Sequence, residues 1–410
     1  YALHSLNENL LTIGIFCDLS RAFDTVDYGL LLGKLSFYGV RGLPYKLLES
    51  YLRDRYQCVE ISTPVGKVKS GLVPVMQGVP QGSVLGPILF LLYVNDLSAN
   101  FSSKITQYAD DTSIILNSPD VNELQIVLNS TLEDLNTWFR LNNLTLNLSK
   151  TNIVNFFGCP LQSQVVDGQS VPVVDCVTFL GLNLDSNFTW VHQIDSLCKK
   201  LARSIFSLKY LSSFLPKNTL KLVYFTYFHI LLVYGSPFWG TASKGYIDRV
   251  FKLQKRAMRV VWGLKRRESC RVVFPSEGVL TFPSIVIYSV SVLVHSNLNT
   301  FPNHTHNHNT RNKSNPIVPL CRSNVFKKNI IDSGPKIYNK LPHEIKAVPN
   351  LETFKFRLRR FLMGRAYYSV DDHFSLKLLR YIFCIFIILI IVLLSIRVLM
   401  TMFETVTTVT

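Results

Sequence analysis

Two apolar runs of strand length flank a pair of acids near the middle of the first half of the chain. Ile105-Thr106-Gln107-Tyr108-Ala109 leads into Asp110-Asp111, and Thr112-Ser113-Ile114-Ile115-Leu116 leads out. The pattern predicts two short strands joined by a turn made of the aspartates themselves, so that both carboxylates project from a hairpin tip. A second run, Ile13-Gly14-Ile15-Phe16-Cys17, ends at Asp18, which places a third carboxylate at a strand end. Beyond it, Ser20 to Asp27 and the spaced Leu30, Leu31, Leu32 and Leu35 predict a helical segment. Asp24 and Asp27 are expected to cap its start, where negative charge opposes the helix dipole.

Between these acids the pattern breaks. Gly78, Pro80, Gly82, Gly86 and Pro87 punctuate a loop whose backbone can approach a ligand closely, and Ile88-Leu89-Phe90-Leu91-Leu92-Tyr93-Val94 then reads as a buried helix with Pro87 in its first turn. Farther along, Ile247, Val250, Phe251, Leu253, Ala257, Met258 and Val261 form one stripe while Arg249, Lys252, Lys255, Arg256 and Arg259 occupy the other faces, which predicts an amphipathic basic helix.

Adjacent carboxylates on a rigid turn repel each other, and one pKa rises strongly unless a cation neutralises the pair. Oxygen-rich clusters suit magnesium, which is held by one or two carboxylates plus substrate phosphates. A carboxylate at one strand end beside a carboxylate pair on a neighbouring hairpin is the arrangement that in-line phosphoryl transfer with two metal ions requires.

Phe16-Cys17-Asp18-Leu19-Ser20-Arg21-Ala22-Phe23-Asp24, Gly78-Val79-Pro80-Gln81-Gly82-Ser83-Val84-Leu85-Gly86-Pro87 and Tyr108-Ala109-Asp110-Asp111, in that order, resemble the motifs of reverse transcriptases of non-LTR retrotransposons. Trp138-Phe139 with Leu144 to Thr151 is similar to the family's next palm motif, and Phe179 to Asp185 looks like its primer-grip hairpin. Lys252 to Arg259, Tyr338 to Pro342 and Phe354 to Leu362 look like the carboxy-terminal region of jockey-like and CR1-like elements.

That resemblance implies an RNA-directed DNA polymerase that adds deoxynucleotides to a primer 3′-hydroxyl on an RNA template. It implies Asp18, Asp110 and Asp111 as the catalytic and metal-binding acids, with Mg2+ as the cation and Mn2+ as its substitute. Phe23 falls on the aromatic steric gate that rejects a ribose 2′-hydroxyl by a clash. Gln81 and Gly82 fall where the family contacts nucleotide and template, and Lys150 where a lysine protonates the departing pyrophosphate. The implied fold is α+β, a right-hand palm of antiparallel sheet with helices plus a helical thumb, with fingers largely missing.

Charge points independently to a nucleic-acid partner. Residues 1–195 carry 11 Lys and Arg against 18 Asp and Glu, a net −7, whereas the remainder carries 32 against 9, a net +23. An acidic half that needs cations, joined to a basic half that neutralises phosphates, suits a template-dependent polymerase. The 8 cysteines are scattered with no Cys-x-x-Cys spacing, which argues for a reducing compartment and against a zinc site. His304, His306 and His308 alternate in an Asn-rich stretch between Pro302 and Pro316 that reads as a loop at a domain boundary.

The expected organisation is a palm with partial fingers over 1–195, a helical thumb over 196–300, a basic module over 301–368 and a tail over 369–410. In the tail, Tyr381 to Ile396 is apolar between Arg380 and Arg397, so 378–400 is a candidate single membrane pass. The positive-inside rule would leave the body in the cytosol, whereas a retroelement enzyme is expected in cytoplasm or nucleus. The acidic motif at Asp18 arrives almost at once, so the chain reads as an amino-terminal truncation lacking fingers and endonuclease. The alternatives are a nucleic-acid-binding remnant without catalysis and a membrane-anchored protein of unrelated role.

Overall fold

The computed structural model describes residues 2–64, 66–156, 158, 161–162, 164–301, 315–320 and 329–374. Its contacts divide the chain between Phe188 and Thr189 into two compact units. The alternating His stretch and the apolar tail at 378–400 lie outside the described residues. Among the described residues, no helix is long and apolar enough to cross a membrane.

The first unit is α+β. After a short helix α1 (Ala2–Asn7) comes β1 (Leu11–Cys17), then β2 (Leu19–Ser20), α2 (Tyr28–Phe37) and α3 (Leu43–Leu52). Four short strands follow, β3 (Arg55–Gln57), β4 (Glu60–Thr63), β5 (Gly66–Lys69) and β6 (Val73–Val75), and then α4 (Leu85–Val94). The hairpin strands are β7 (Lys104–Tyr108) and β8 (Asp111–Ser118), followed by α5 (Val121–Leu141), β9 (Thr145–Leu146) and β10 (Asn152–Phe156). The unit closes with the β11–β12 hairpin (Gln164–Val166, Gln169–Val171), β13 (Val173–Val174) and the β14–β15 hairpin (Cys176–Phe179, Leu182–Asp185).

The central sheet has the order β13-β10-β1-β8-β7, antiparallel throughout except for the parallel β10–β13 edge. β1 sits in the middle and is buried on both faces, which is why it reads as a continuous apolar run rather than an alternating one. Ile13, Ile15 and Cys17 pack with Ile114, Leu116 and Ile153 into the main core beneath α2, α4 and α5. On the other face, Phe16 packs with Val154, Phe156 and Val177.

The expected early helix begins later than its pattern. Ala22–Asp24 forms a 3-10 turn, and α2 starts at Tyr28 with Asp27 as its N-cap, the Asp27 carboxylate accepting from Leu30 N at 2.8 Å. Asp24 caps nothing and instead accepts a hydrogen bond from Gln81. α4 does follow the Gly/Pro loop, but only one side is buried: Leu89, Phe90 and Tyr93 face the core while Ile88 and Leu91 are exposed.

The second unit is helical across its described residues. It contains α6 (Val191–Leu211), α7 (Lys217–Val223), a π-helical turn at Tyr224–His229, α8 (Ile230–Val233), α9 (Ser236–Trp239) and α10 (Lys244–Trp262). Then come α11 (Val273–Ser276), α12 (Phe282–Ser296), and the helices Ile330–Asn339 and Leu351–Arg365, both packed on α12. α10 is the expected amphipathic basic helix, packed along α6, with Ile247, Val250, Phe251, Ala257, Met258 and Val261 buried. Gln254 completes that buried stripe because its amide is fully used: Nε2 donates to Leu280 O at 2.9 Å and Oε1 accepts from Phe282 N at 2.7 Å.

Candidate active site

The turn between β7 and β8 is offset by one residue from the aspartate pair. Tyr108 pairs with Asp111, so Ala109 and Asp110 form a two-residue connection and Asp111 is already the first residue of β8. Ala109 takes the left-handed conformation at φ 53°, as such tight connections demand of their first central residue. An alanine there costs roughly 1–2 kcal/mol against a glycine.

Register brings the third acid to the pair. Cys17 of β1 lies opposite Thr112 of β8, so Asp18 follows β1 where Asp111 opens β8. Burial pushes the Asp111 carboxyl up, and the negative charges of Asp110 and Asp18 push it the same way. Three acids from two strand ends and one turn thus share one electrostatic environment.

Asp18 is also fixed by the segment before β10. Its carbonyl accepts from Asn147 N at 2.8 Å, and its N–H donates to Thr151 Oγ1 at 3.4 Å. The same turn carries Lys150, whose Nζ lies 3.6 Å from Asp18 Oδ2.

The Gly/Pro loop is bound to the stretch after Asp18. Gly78 N donates to Val26 O and Val79 N donates to Phe23 O, both at 2.8 Å, while Tyr28 donates its hydroxyl to Gly78 O at 3.0 Å. Gly78 has φ +87°, and a Cβ there would stand 2.7 Å from Asp24 O, so a side chain is excluded. Gln81 Nε2 donates to Asp24 Oδ1 at 2.8 Å. Phe23 is half-buried and stacked on Phe90 of α4 with ring centroids 4.5 Å apart. Gly82 is exposed at φ +84°.

An open cavity of about 570 Å³ lies beside this loop, lined by Asp24, Arg55, Met76, Gln77 and Gln81 among others. Arg55 was not visible as a site residue in the sequence. It belongs to β3, which is exposed, lacks alternation and pairs with β6 across an intervening hairpin, Arg55 opposite Val75. Its charge opposes the rise that burial imposes on the Tyr28 phenol.

Among the described residues, no three His, Cys, Asp or Glu side chains are grouped closely enough to hold a metal ion. The three aspartates are electrostatic neighbours rather than a closed ligand set. Their chemistry, oxygen donors only and mutually repelling, fits a hard divalent cation that completes its coordination with substrate phosphates.

Residues 3–184 match the family of reverse transcriptases, described as RNA-dependent DNA polymerases. The chain carries a reverse transcriptase domain. It is 26% identical over 280 residues to the RNA-directed DNA polymerase from mobile element jockey of Drosophila melanogaster, an alignment covering 64% of this chain and 30% of that protein. With the same coverage, it is 28% identical over 285 residues to the probable RNA-directed DNA polymerase from transposon BS of the same organism. The alignments therefore span about a third of the length of these relatives. Among solved structures, apo telomerase from Candida tropicalis aligns over 70% of this chain and 47% of its own at 15% identity and a TM-score of 0.34.

The domain's sheet, with Asp18 after its central strand and Asp110-Asp111 on the neighbouring hairpin, is the α+β palm that the motifs implied. The Phe179–Asp185 segment is a hairpin, Phe179 opposite Leu182, with Leu180 and Gly181 both at positive φ.

Proposed function

We propose that this chain is the polymerase portion of a non-LTR retrotransposon protein, extending a DNA primer on an RNA template with deoxynucleoside triphosphates. The observation that carries the reading is the strand register that sets Asp18, at the end of β1, beside the Asp110-Asp111 turn of the neighbouring hairpin. The neighbouring Gly78–Gly82 loop is tied to Phe23 and Asp24.

Asp18, Asp110 and Asp111 would hold Mg2+, with Mn2+ as a substitute. When bound, the cation would lower the charge on the triphosphate and ease deprotonation of the primer 3′-hydroxyl. Asp18 and Asp110 are the direct ligands in this reading, and Asp111 crowds both with negative charge that favours cation uptake. Lys150, beside Asp18, would donate a proton to the departing pyrophosphate. Phe23, held against Phe90, would place its ring edge against the sugar C2′ and reject a 2′-hydroxyl by steric overlap. Gln81, oriented by Asp24, and Gly82 would face the nucleotide and template.

The test is primer extension on an RNA template with purified protein, alongside Asp110→Asn. Magnesium-dependent incorporation of deoxynucleotides that Asp110→Asn abolishes supports the reading. Incorporation unaffected by Asp110→Asn overturns it. Cytoplasm or nucleus is the proposed place of action, since both template and target are nucleic acids.

A further inference from the structure

The helical unit contains a cavity that the polymerase reading leaves unused. It has a volume of about 180 Å³ and is formed where the π-helical turn meets α12 and the Leu351–Arg365 helix. Phe225 and His229 line it from the turn, Tyr288 from α12 and Arg359 from the last helix, with Leu280 and Ile285 as apolar wall.

Three features distinguish this cavity from a packing gap. The π-helical turn sets Phe225 and His229 against each other edge to face, ring centroids 5.2 Å apart, and such turns in α-helices recur at functional sites. His229 Nδ1 is buried without a hydrogen-bond partner, a cost of about 1–3 kcal/mol unless something supplies one. Arg359 is exposed and forms no ion pair among the described residues, unlike Lys355 one turn earlier, which pairs with Glu352 at 2.7 Å.

The chemistry of the lining selects a ligand. An aromatic face and aliphatic wall suit a planar ring; the free imidazole nitrogen needs a polar ring edge; the guanidinium at the rim suits a phosphate. The volume falls below the roughly 300–1,000 Å³ that encloses a whole drug-sized ligand, so one ring enters and its sugar and phosphate stay outside. We propose that this cavity takes one unstacked base of a single-stranded nucleic acid, ring against Phe225, polar edge on His229 Nδ1 and flanking phosphate on Arg359. Burial and the Arg359 charge hold His229 neutral, with its pKa lowered to about 4, so its ring nitrogens present one donor and one acceptor to a base edge. The proposal deepens the polymerase reading by naming where a strand outside the palm is gripped.

The experiment is titration of the full chain with a short single-stranded RNA carrying 2-aminopurine, followed by base fluorescence and anisotropy over a salt series. Wild type is expected to change the base fluorescence on binding. Arg359→Gln, at an exposed position that leaves the fold intact, should weaken binding roughly threefold to tenfold and reduce the salt slope by about 1. Phe225→Leu should remove the fluorescence change and preserve the slope, and Arg266→Gln, at an exposed arginine that does not line the cavity, should leave the fluorescence change intact. Fluorescence and affinity unaltered in both Arg359→Gln and Phe225→Leu overturn the proposal while leaving primer extension to judge the polymerase reading separately. Competition by free AMP as effective as by the strand assigns the cavity to mononucleotides and also overturns it. Failure of the chain to bind the single-stranded RNA likewise overturns the proposal, and primer extension alone judges the polymerase reading.

Discussion

Lys150 and Asp18 meet at 3.6 Å, and one turn holds both, because Asn147 and Thr151 on either side of the lysine bond the Asp18 backbone. Both side chains are substantially exposed, so the pair contributes no more than about 1 kcal/mol to folding. Lys150→Gln is therefore expected to leave the melting temperature unchanged while slowing single-turnover extension by about 10²-fold, as loss of a general acid does. A parallel fall in melting temperature would instead make Lys150 a structural residue.

Gly78 is where the backbone of the loop comes closest to Asp24. Gly78→Ala brings a Cβ within 2.7 Å of the Asp24 carbonyl oxygen at a φ of +87°, so the loop must move. A destabilisation of about 1–3 kcal/mol is expected, with loss of nucleotide affinity as Gln81 leaves Asp24. Gly71→Ala, where a Cβ meets nothing within 4 Å, is the matched control for chemical denaturation.

Asp111 is held in the folded state with its pKa raised, by burial and by Asp110 and Asp18. A carboxyl whose folded pKa exceeds its unfolded value favours folding when protonated and opposes it once ionised. Without divalent cations, Asp111→Asn is thus expected to raise the melting temperature at neutral pH and to narrow that gain as pH falls through the carboxylate range. In the same variant, the stabilisation that Mg2+ gives wild type should shrink. Scanning calorimetry with EDTA and with Mg2+ checks both.

His229 contributes an opposite pH dependence. Its folded pKa is lowered to about 4 from 6.5, by burial first and the charge of Arg359 second. Between those values the unfolded chain takes up a proton that the folded chain refuses, so stability falls as pH drops, by up to about 3 kcal/mol. His295 and His373 are lowered by burial and act in the same direction. Urea unfolding of wild type and His229→Gln between neutral and acidic pH should show a shallower decline in the variant.

Much of the palm was legible because its strands are short apolar runs and its acids stand at their ends. β1 and β8 were visible for that reason, and Asp27 as a cap because it precedes the leucine repeat. The one-residue offset at Ala109-Asp110 was not legible, since Asp-Asp is a better turn former than Ala-Asp and only strand register forces Ala109 to positive φ. Asp24 reads as a cap from local sequence because its actual partner, Gln81, lies far along the chain. Arg55 carries no sequence signal because β3 and β6 are largely exposed, without alternation, and separated by another hairpin. Gln254 does not read as part of the apolar stripe because its partners Leu280 and Phe282 are set by tertiary packing alone.

The central claim is that Asp18 and the Asp110-Asp111 pair act as one cation site. Its most direct test is Mn2+ titration followed by water proton relaxation, in the presence of a deoxynucleoside triphosphate. Asp18→Asn and Asp110→Asn should each weaken Mn2+ uptake at least about tenfold. Asp96→Asn, whose carboxylate is engaged 2.6 Å from Lys34, should leave it unchanged. Equal Mn2+ binding in wild type and all three variants would contradict the account.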